Sequence, residues 1–79
     1  MKMDEIIRMM QSDDYIERFK GEYELLKLRM ERLERTIHLY DYLYCPHKTP
    51  KELLLIQLQS LQNYMMLLEY RAKLENITL

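Results

Sequence analysis

An apolar or aromatic residue stands at positions 16, 19, 23, 26, 30, 33, 37, 40 and 44, in steps that alternate three and four without a break. Four heptads of this kind constrain the fold more than anything else in the sequence, because only an α-helix brings those positions onto one side. Asp14 and Glu17 have capping-box spacing at its start. The pattern predicts a helix over 13–44, about 48 Å long at 1.5 Å per residue. Arg18–Glu22, Lys20–Glu24, Lys27–Glu31 and Glu31–Arg35 lie four apart and mark a solvated outer face, each pair contributing about 0.2–0.5 kcal/mol.

"CPHKTP" (45–50) interrupts the periodicity. Pro46 forces Cys45 out of α geometry, which places a turn at 45–49. "TPKE" then restarts a helix, with Thr49 expected as cap, Pro50 at the first helical position and Glu52 completing a second capping box. This helix is expected over 50–76, with Leu54, Leu58, Leu61, Met65, Leu68 and Ala72 as its seam. Two long helices joined by a short connection make an antiparallel hairpin. The expected fold is all-α and single-domain: a two-helix hairpin (13–76) after an N-terminal piece (1–12). That piece, "MKMDEIIRMMQS", is either a short helix whose methionines meet a neighbouring protomer or a disordered arm.

The hairpin has more apolar surface than it can bury. Leu25, Leu28, Leu39, Tyr42 and Leu43 form a second stripe on the first helix, and Leu53, Ile56, Leu67 and Leu74 one on the second. An exposed patch of that size is unusual for a monomer, and 79 residues is about the length at which small folds need staples or partners. Cys45 is the only cysteine, so no disulfide serves; a lone thiol fits a reducing cytoplasm. His38, His47 and Cys45 lack metal-ligand spacing. Homo-oligomerisation is the expected source of burial, as a dimer or a symmetric higher assembly. A net charge of −1 supplies no field for a DNA or RNA polymer or an anionic membrane. Apolar runs such as "LLLI" (53–56) are far below the ~18 residues of a membrane span, and the acidic start carries no secretory cleavage site.

No nucleophile has a base nearby in sequence, and no glycine-rich loop exists to cradle phosphates, so the chain is not expected to be an enzyme. What remains is phenol and guanidinium. Seven residues are tyrosine. Tyr15 and Arg18 are one turn apart at the start of the first helix; Tyr64 and Arg71, two turns apart, share a face of the second beside its seam. In an antiparallel hairpin both pairs converge at the open end. Tyrosine can stack on a base and arginine can grip a phosphate bidentately, which suits a compact anionic nucleotide. A long basic stripe for a polymer is missing. The competing reading is packing: Tyr64 against a neighbouring helix, with Arg18 and Arg71 paired to Glu69 or Glu75. Tyr23, Tyr40 and Tyr44 fall on the seam; Tyr42 and Tyr70 fall at an interface or surface.

"YIERFKGEYELLKLRMERLERTI" (15–37) followed by "KELLLIQLQSLQNYMMLLEYRAKL" (51–74) resembles the helical hairpin shared by the phage anti-CBASS protein two and Thoeris anti-defence protein one groups. Tyr15, Arg18, Glu22, Leu26, Arg29, Met30, Arg32 and Leu33 match its first helix; Gln57, Leu58, Tyr64, Leu68 and Arg71 match its second. The resemblance implies a sponge that binds cyclic nucleotide messengers of bacterial antiphage signalling without cleaving them. It also implies an oligomer, typically a hexamer, with pockets between protomers. Arg18 and Arg71 would hold phosphates and Tyr15 and Tyr64 would bracket bases. Arg29 would contribute as well, unless it only pairs with a carboxylate on the outer face. Gly21 departs from the pattern, which usually has an acid there, and weakens the helix by about 1 kcal/mol relative to alanine; it could permit close approach of ligand or backbone. The Thoeris-type extra domain is not seen before the hairpin, which favours cyclic di- or trinucleotides over a cyclic ADP-ribose ligand; the expected partner is a cyclic oligonucleotide or a cyclic ADP-ribose-type messenger. The expected setting is the cytoplasm of an infected bacterium, with CBASS-type signalling blocked and no cofactor required. Two rivals stand beside this reading: a small helical inhibitor of a host protein, and a purely structural coiled-coil hairpin.

Overall fold

The computed structural model describes residues 1–42 and 49–79. Among them lie three helices and no strand: α1 (Met3–Met10), α2 (Tyr15–Tyr42) and α3 (Lys51–Leu74). The expected end of the first long helix at 43–44 and the turn at 45–48 lie outside the described residues. No described helix is long and apolar enough to cross a membrane.

The N-terminal piece is a helix, the first of the two expected alternatives, and its last turn packs on its own chain. Asp4 and Glu5 sit in its first turn and Arg8 in its last, the order that complements the helix dipole. Ile6 is 1% exposed. The last turn of α1 lies on Gly21 of α2. A Cβ at Gly21 would stand 3.0 Å from the Met10 Cγ and the Met9 Cβ and 3.1 Å from the Met10 backbone nitrogen. Gly21 thus costs α2 helix propensity but lets a second backbone come close.

The start of α2 is capped through three residues. Asp14 Oδ1 accepts the Ile16 N–H at 3.0 Å, as expected of an N-cap. Glu17 does not close the expected box. Ser12 stands between: its Oγ accepts the Asp14 N–H at 3.1 Å and donates to Glu17 Oε2 at 2.7 Å. The cap of α3 also differs from expectation. Pro50, at φ −59° and ψ 145°, is itself the N-cap, with no side-chain cap bond, and its carbonyl accepts from Leu53 and Leu54 at 3.1 and 3.3 Å. Thr49 is one residue too early, and proline has no N–H for an acid to reach back to.

The end of α3 is a Schellman motif. Asn76 adopts φ 57°, the Ile77 N–H donates to the Ala72 carbonyl at 2.8 Å, and the Asn76 N–H to Lys73 at 3.4 Å. Asparagine is the best residue after glycine for this left-handed position. The motif turns Ile77 back into the core. Asn76→Ala is expected to cost about 1–2 kcal/mol, whereas Asn76→Gly is expected to stay within a few tenths; urea midpoints of the two variants check this.

The start of α2 lies beside the end of α3, where Tyr15 reaches Glu75, and Tyr23 reaches Glu69 further along. Phe19, Leu26, Leu68, Ala72 and Ile77 form the buried cluster, with Tyr23, Met30, Leu61 and Met65 packed against it. Leu54 is buried nearer the other end. All of these but Ile77 fall on the expected seams, and Ile16, which was expected there, is exposed. A straight helix drifts from a strict heptad, and in this first turn Tyr15 and Phe19 face α3 instead. On the outer side of α3, Leu53, Ile56, Met66, Leu67, Tyr70 and Leu74 are each 54–67% exposed.

Candidate functional site

An open cavity of about 510 Å³ lies along α2 and α3, lined by residues of both and by Met10 of α1. All five residues singled out in the sequence, Tyr15, Arg18, Arg29, Tyr64 and Arg71, line it. Tyr15, Arg18, Glu22 and Arg29 recur along α2 at steps of three, four and seven, which keeps them on one face. Tyr64 and Arg71 do the same on α3. Leu25, Leu26 and Leu61 supply an apolar lining, and Phe19 completes it.

Tyr15, Arg71, Glu75 and Phe19 form one unit. The Arg71 guanidinium donates to the Tyr15 oxygen at 2.9 Å, and the Tyr15 hydroxyl donates to Glu75 Oε1 at 2.7 Å. Arg71 also pairs with Glu75 at 3.4 Å and lies 5.1 Å from the Phe19 ring centroid, within cation–π range. The packing alternative for Arg71, a bond to Glu75, is therefore real, and it coexists with a place on the cavity wall. A second phenol–carboxylate pair lines the same cavity, where the Tyr64 hydroxyl donates to Glu22.

Arg18 does not form the expected pair with Glu22. It donates to the Ser12 carbonyl at 2.8 Å. Nor does Lys27 reach Glu31; it lies 3.9 Å from Glu24 and 5.8 Å from the Tyr23 ring centroid. Arg29 lines the cavity and, among the described residues, has no salt bridge to an outer-face carboxylate. Three guanidiniums thus line the cavity against one carboxylate, Glu22. Such a wall favours an anion, the more so where low-dielectric surfaces focus the field.

The phenols carry the electrostatic signature of these bonds. Tyr64 is raised above 10.0, chiefly because its proton is held by Glu22 and then because of burial. Tyr15 is raised chiefly by Glu75, with Arg71 opposing. Tyr23 is raised chiefly by burial and then by Glu69. Each folded value lies above the unfolded one. The stabilisation from these bonds is therefore present below about pH 10 and is lost as pH rises through the elevated folded values. Tyrosinate absorbance of the native protein is expected to lag that of the denatured chain, with one lagging component gone in Tyr64→Phe; coincident curves would show that the bonds do not persist in solution.

Phe19, Glu22 and Glu75 enter the site without having been singled out for it. Glu22 was assigned to an outer-face pair with Arg18. Glu75 lies four residues after Arg71, and Phe19 four after Tyr15, spacings that place each beside its partner. Met10 had no signal, since it reaches the cavity only because α1 docks over Gly21.

Fold and cavity together define a small all-helical protein whose two long helices wall an open aromatic and cationic groove. The chain belongs to the Sequestin family, whose model matches residues 13–74, a span covering α2 and α3 and leaving α1 outside. No curated protein and no solved structure matches the chain.

Proposed function

We propose that this protein is a phage anti-defence sponge that binds a cyclic nucleotide messenger, a cyclic di- or trinucleotide, and withholds it from its effector without cleaving it. The observation that carries this reading is the convergence of Tyr15, Arg18, Arg29, Tyr64 and Arg71 on one cavity. Two of the guanidiniums, Arg18 and Arg29, have no carboxylate partner among the described residues. The family's name, Sequestin, is consistent with a sequestering role, and the hairpin resembles the anti-CBASS and Thoeris anti-defence groups. Arginines hold phosphates, and tyrosines stack on or bracket bases. The function is exerted in the cytoplasm of the infected bacterium, on CBASS-type signalling.

The sponge is a homo-oligomer of hairpins, up to a hexamer. The exposed apolar row on α3 supports this, because an unpartnered row of that length favours association.

Isothermal titration against cyclic dinucleotides, cyclic trinucleotides and cyclic ADP-ribose isomers, with linear dinucleotides as controls, tests the reading. Tight binding of a cyclic member, recovered intact after heating, is the expected result. Silence across the panel would leave Tyr64 and Arg71 as packing residues and turn the search to a protein partner.

A further inference from the structure

Resting on the oligomer reading above, we propose that two copies of this chain pair through the outer faces of α3, antiparallel about a twofold axis, in the register that sets Ser60 of one copy against Asn63 of the other. Positions 53, 56, 60, 63, 67, 70 and 74 step by three and four without a break. The helix α3 therefore carries a second heptad seam, apart from the one it buries in the hairpin. Every residue on it is exposed. Leu53, Ile56, Leu67, Tyr70 and Leu74 are apolar or aromatic, and the two residues between them are polar. A seam of this kind, about 32 Å long, suits another helix, and its polar centre specifies which one.

The Ser60 hydroxyl donates to the Ile56 carbonyl of its own helix at 3.1 Å. With its proton engaged, Ser60 offers lone pairs only. Asn63 makes no side-chain hydrogen bond among the described residues, and its amide carries two donors. Ser60 and Asn63 are thus complements of each other, whereas two copies of Ser60 are not. One polar layer in an apolar seam fixes register and orientation. An antiparallel pair with this layer at its centre sets Leu53 against the partner's Tyr70 and Ile56 against the partner's Leu67, and twofold symmetry makes each contact twice. The charges agree. Glu52, Gln59, Met66 and Lys73 follow at steps of seven along one flank of the seam, with an acid at one end and a base at the other. Neither Glu52 nor Lys73 has a salt bridge among the described residues. In the antiparallel register Glu52 comes within about 3 Å, along the helix axis, of the level of the partner's Lys73. Parallel pairing would leave the two at opposite ends of the interface.

The test is sedimentation of the full chain, of Leu67→Arg, of Glu52→Lys, of Lys73→Glu and of the double swap, at low salt. The wild type is expected to associate, and Leu67→Arg should give a smaller particle. Each single swap puts like charges together at both ends of the interface and should weaken association about 3- to 30-fold. The double swap restores opposite charges and should return to within about threefold of the wild type. Both swaps oppose the α3 dipole, so recovery in the double variant cannot come from a better helix. The three positions are exposed, and the far-ultraviolet circular dichroism of each variant should match the wild type. A particle unchanged by Leu67→Arg, or losses that add up in the double swap, overturns the α3 pairing and leaves the oligomer reading standing. A wild type that stays monomeric at all concentrations overturns both.

Discussion

Arg71→Ala is expected to lower affinity for an anionic nucleotide by roughly a hundredfold or more while leaving the helices in place. The guanidinium lines the cavity and can present two parallel donors to a phosphate, each charge-assisted bond contributing about 1.5–3 kcal/mol. The fold asks little of it. Its side chain is 49% exposed, so its pair with Glu75 adds little to stability. Removing it leaves the Tyr15–Glu75 bond intact. The loss should therefore appear in titration and not in a melting curve. Arg71→Lys separates charge from shape, because an ammonium keeps the attraction but not the planar fork; about a tenfold loss is expected. If both variants bind as the wild type does, Arg71 is a packing residue. If Arg71→Ala fails to assemble, its role is structural.

Leu68→Ala is expected to have the opposite profile. Leu68 is 1% exposed and belongs to the cluster that joins Phe19 and Leu26 of α2 to Ala72 and Ile77. Truncating it removes apolar burial and leaves a cavity, together about 2–5 kcal/mol. A chain of this length has roughly 4–12 kcal/mol of stability in all. The melting temperature should fall by about 4–8 °C for each kcal/mol lost, which thermal circular dichroism would read directly. Leu67→Ala is the matched control. One residue away, Leu67 is 64% exposed, so within an isolated chain its truncation should stay within about 0.5 kcal/mol. A larger effect from Leu67, together with a smaller particle in sedimentation, would place the outer row of α3 in an interface between copies.

The long helices were legible because their determinants are periodic. Leu54, Leu58, Leu61, Met65, Leu68 and Ala72 repeat at helical spacing, and the structure buries or half-buries each of them. That Tyr15 and Arg18 share a face of α2, and Tyr64 and Arg71 a face of α3, was legible because steps of three and seven on a helix fix a shared face before any tertiary contact exists; Arg29 was singled out only through the resemblance to the hairpin family. What the sequence concealed depends on neighbours distant in the chain or on which of two local partners prevails. Gly21 reads as a weak point in α2 until α1 is seen lying across it. Arg18 reads as the partner of Glu22 until the Ser12 carbonyl claims it. Ile77 lies past the last heptad and carries no periodic mark. It is buried because Asn76 takes a left-handed turn, an event of one residue that no periodicity encodes. Thr49 shows the limit at helix ends: a proline fixes where a helix begins to within a residue, but not which residue caps it.

The tyrosine–carboxylate ties across the cavity join residues far apart in the chain: 60 positions between Tyr15 and Glu75, and 42 between Glu22 and Tyr64. Contacts of such separation carry a larger loop-closure entropy than those within one helix. A molecule held between the same two walls adds its binding free energy to that closure. At a free concentration a hundred times its dissociation constant, such a ligand would raise apparent stability by about 2.7 kcal/mol. If that molecule is the messenger proposed above, heat resistance of the folded chain would report how much of it a cell contains, and a lysate from an alarmed cell would melt this protein later than a lysate from a quiet one.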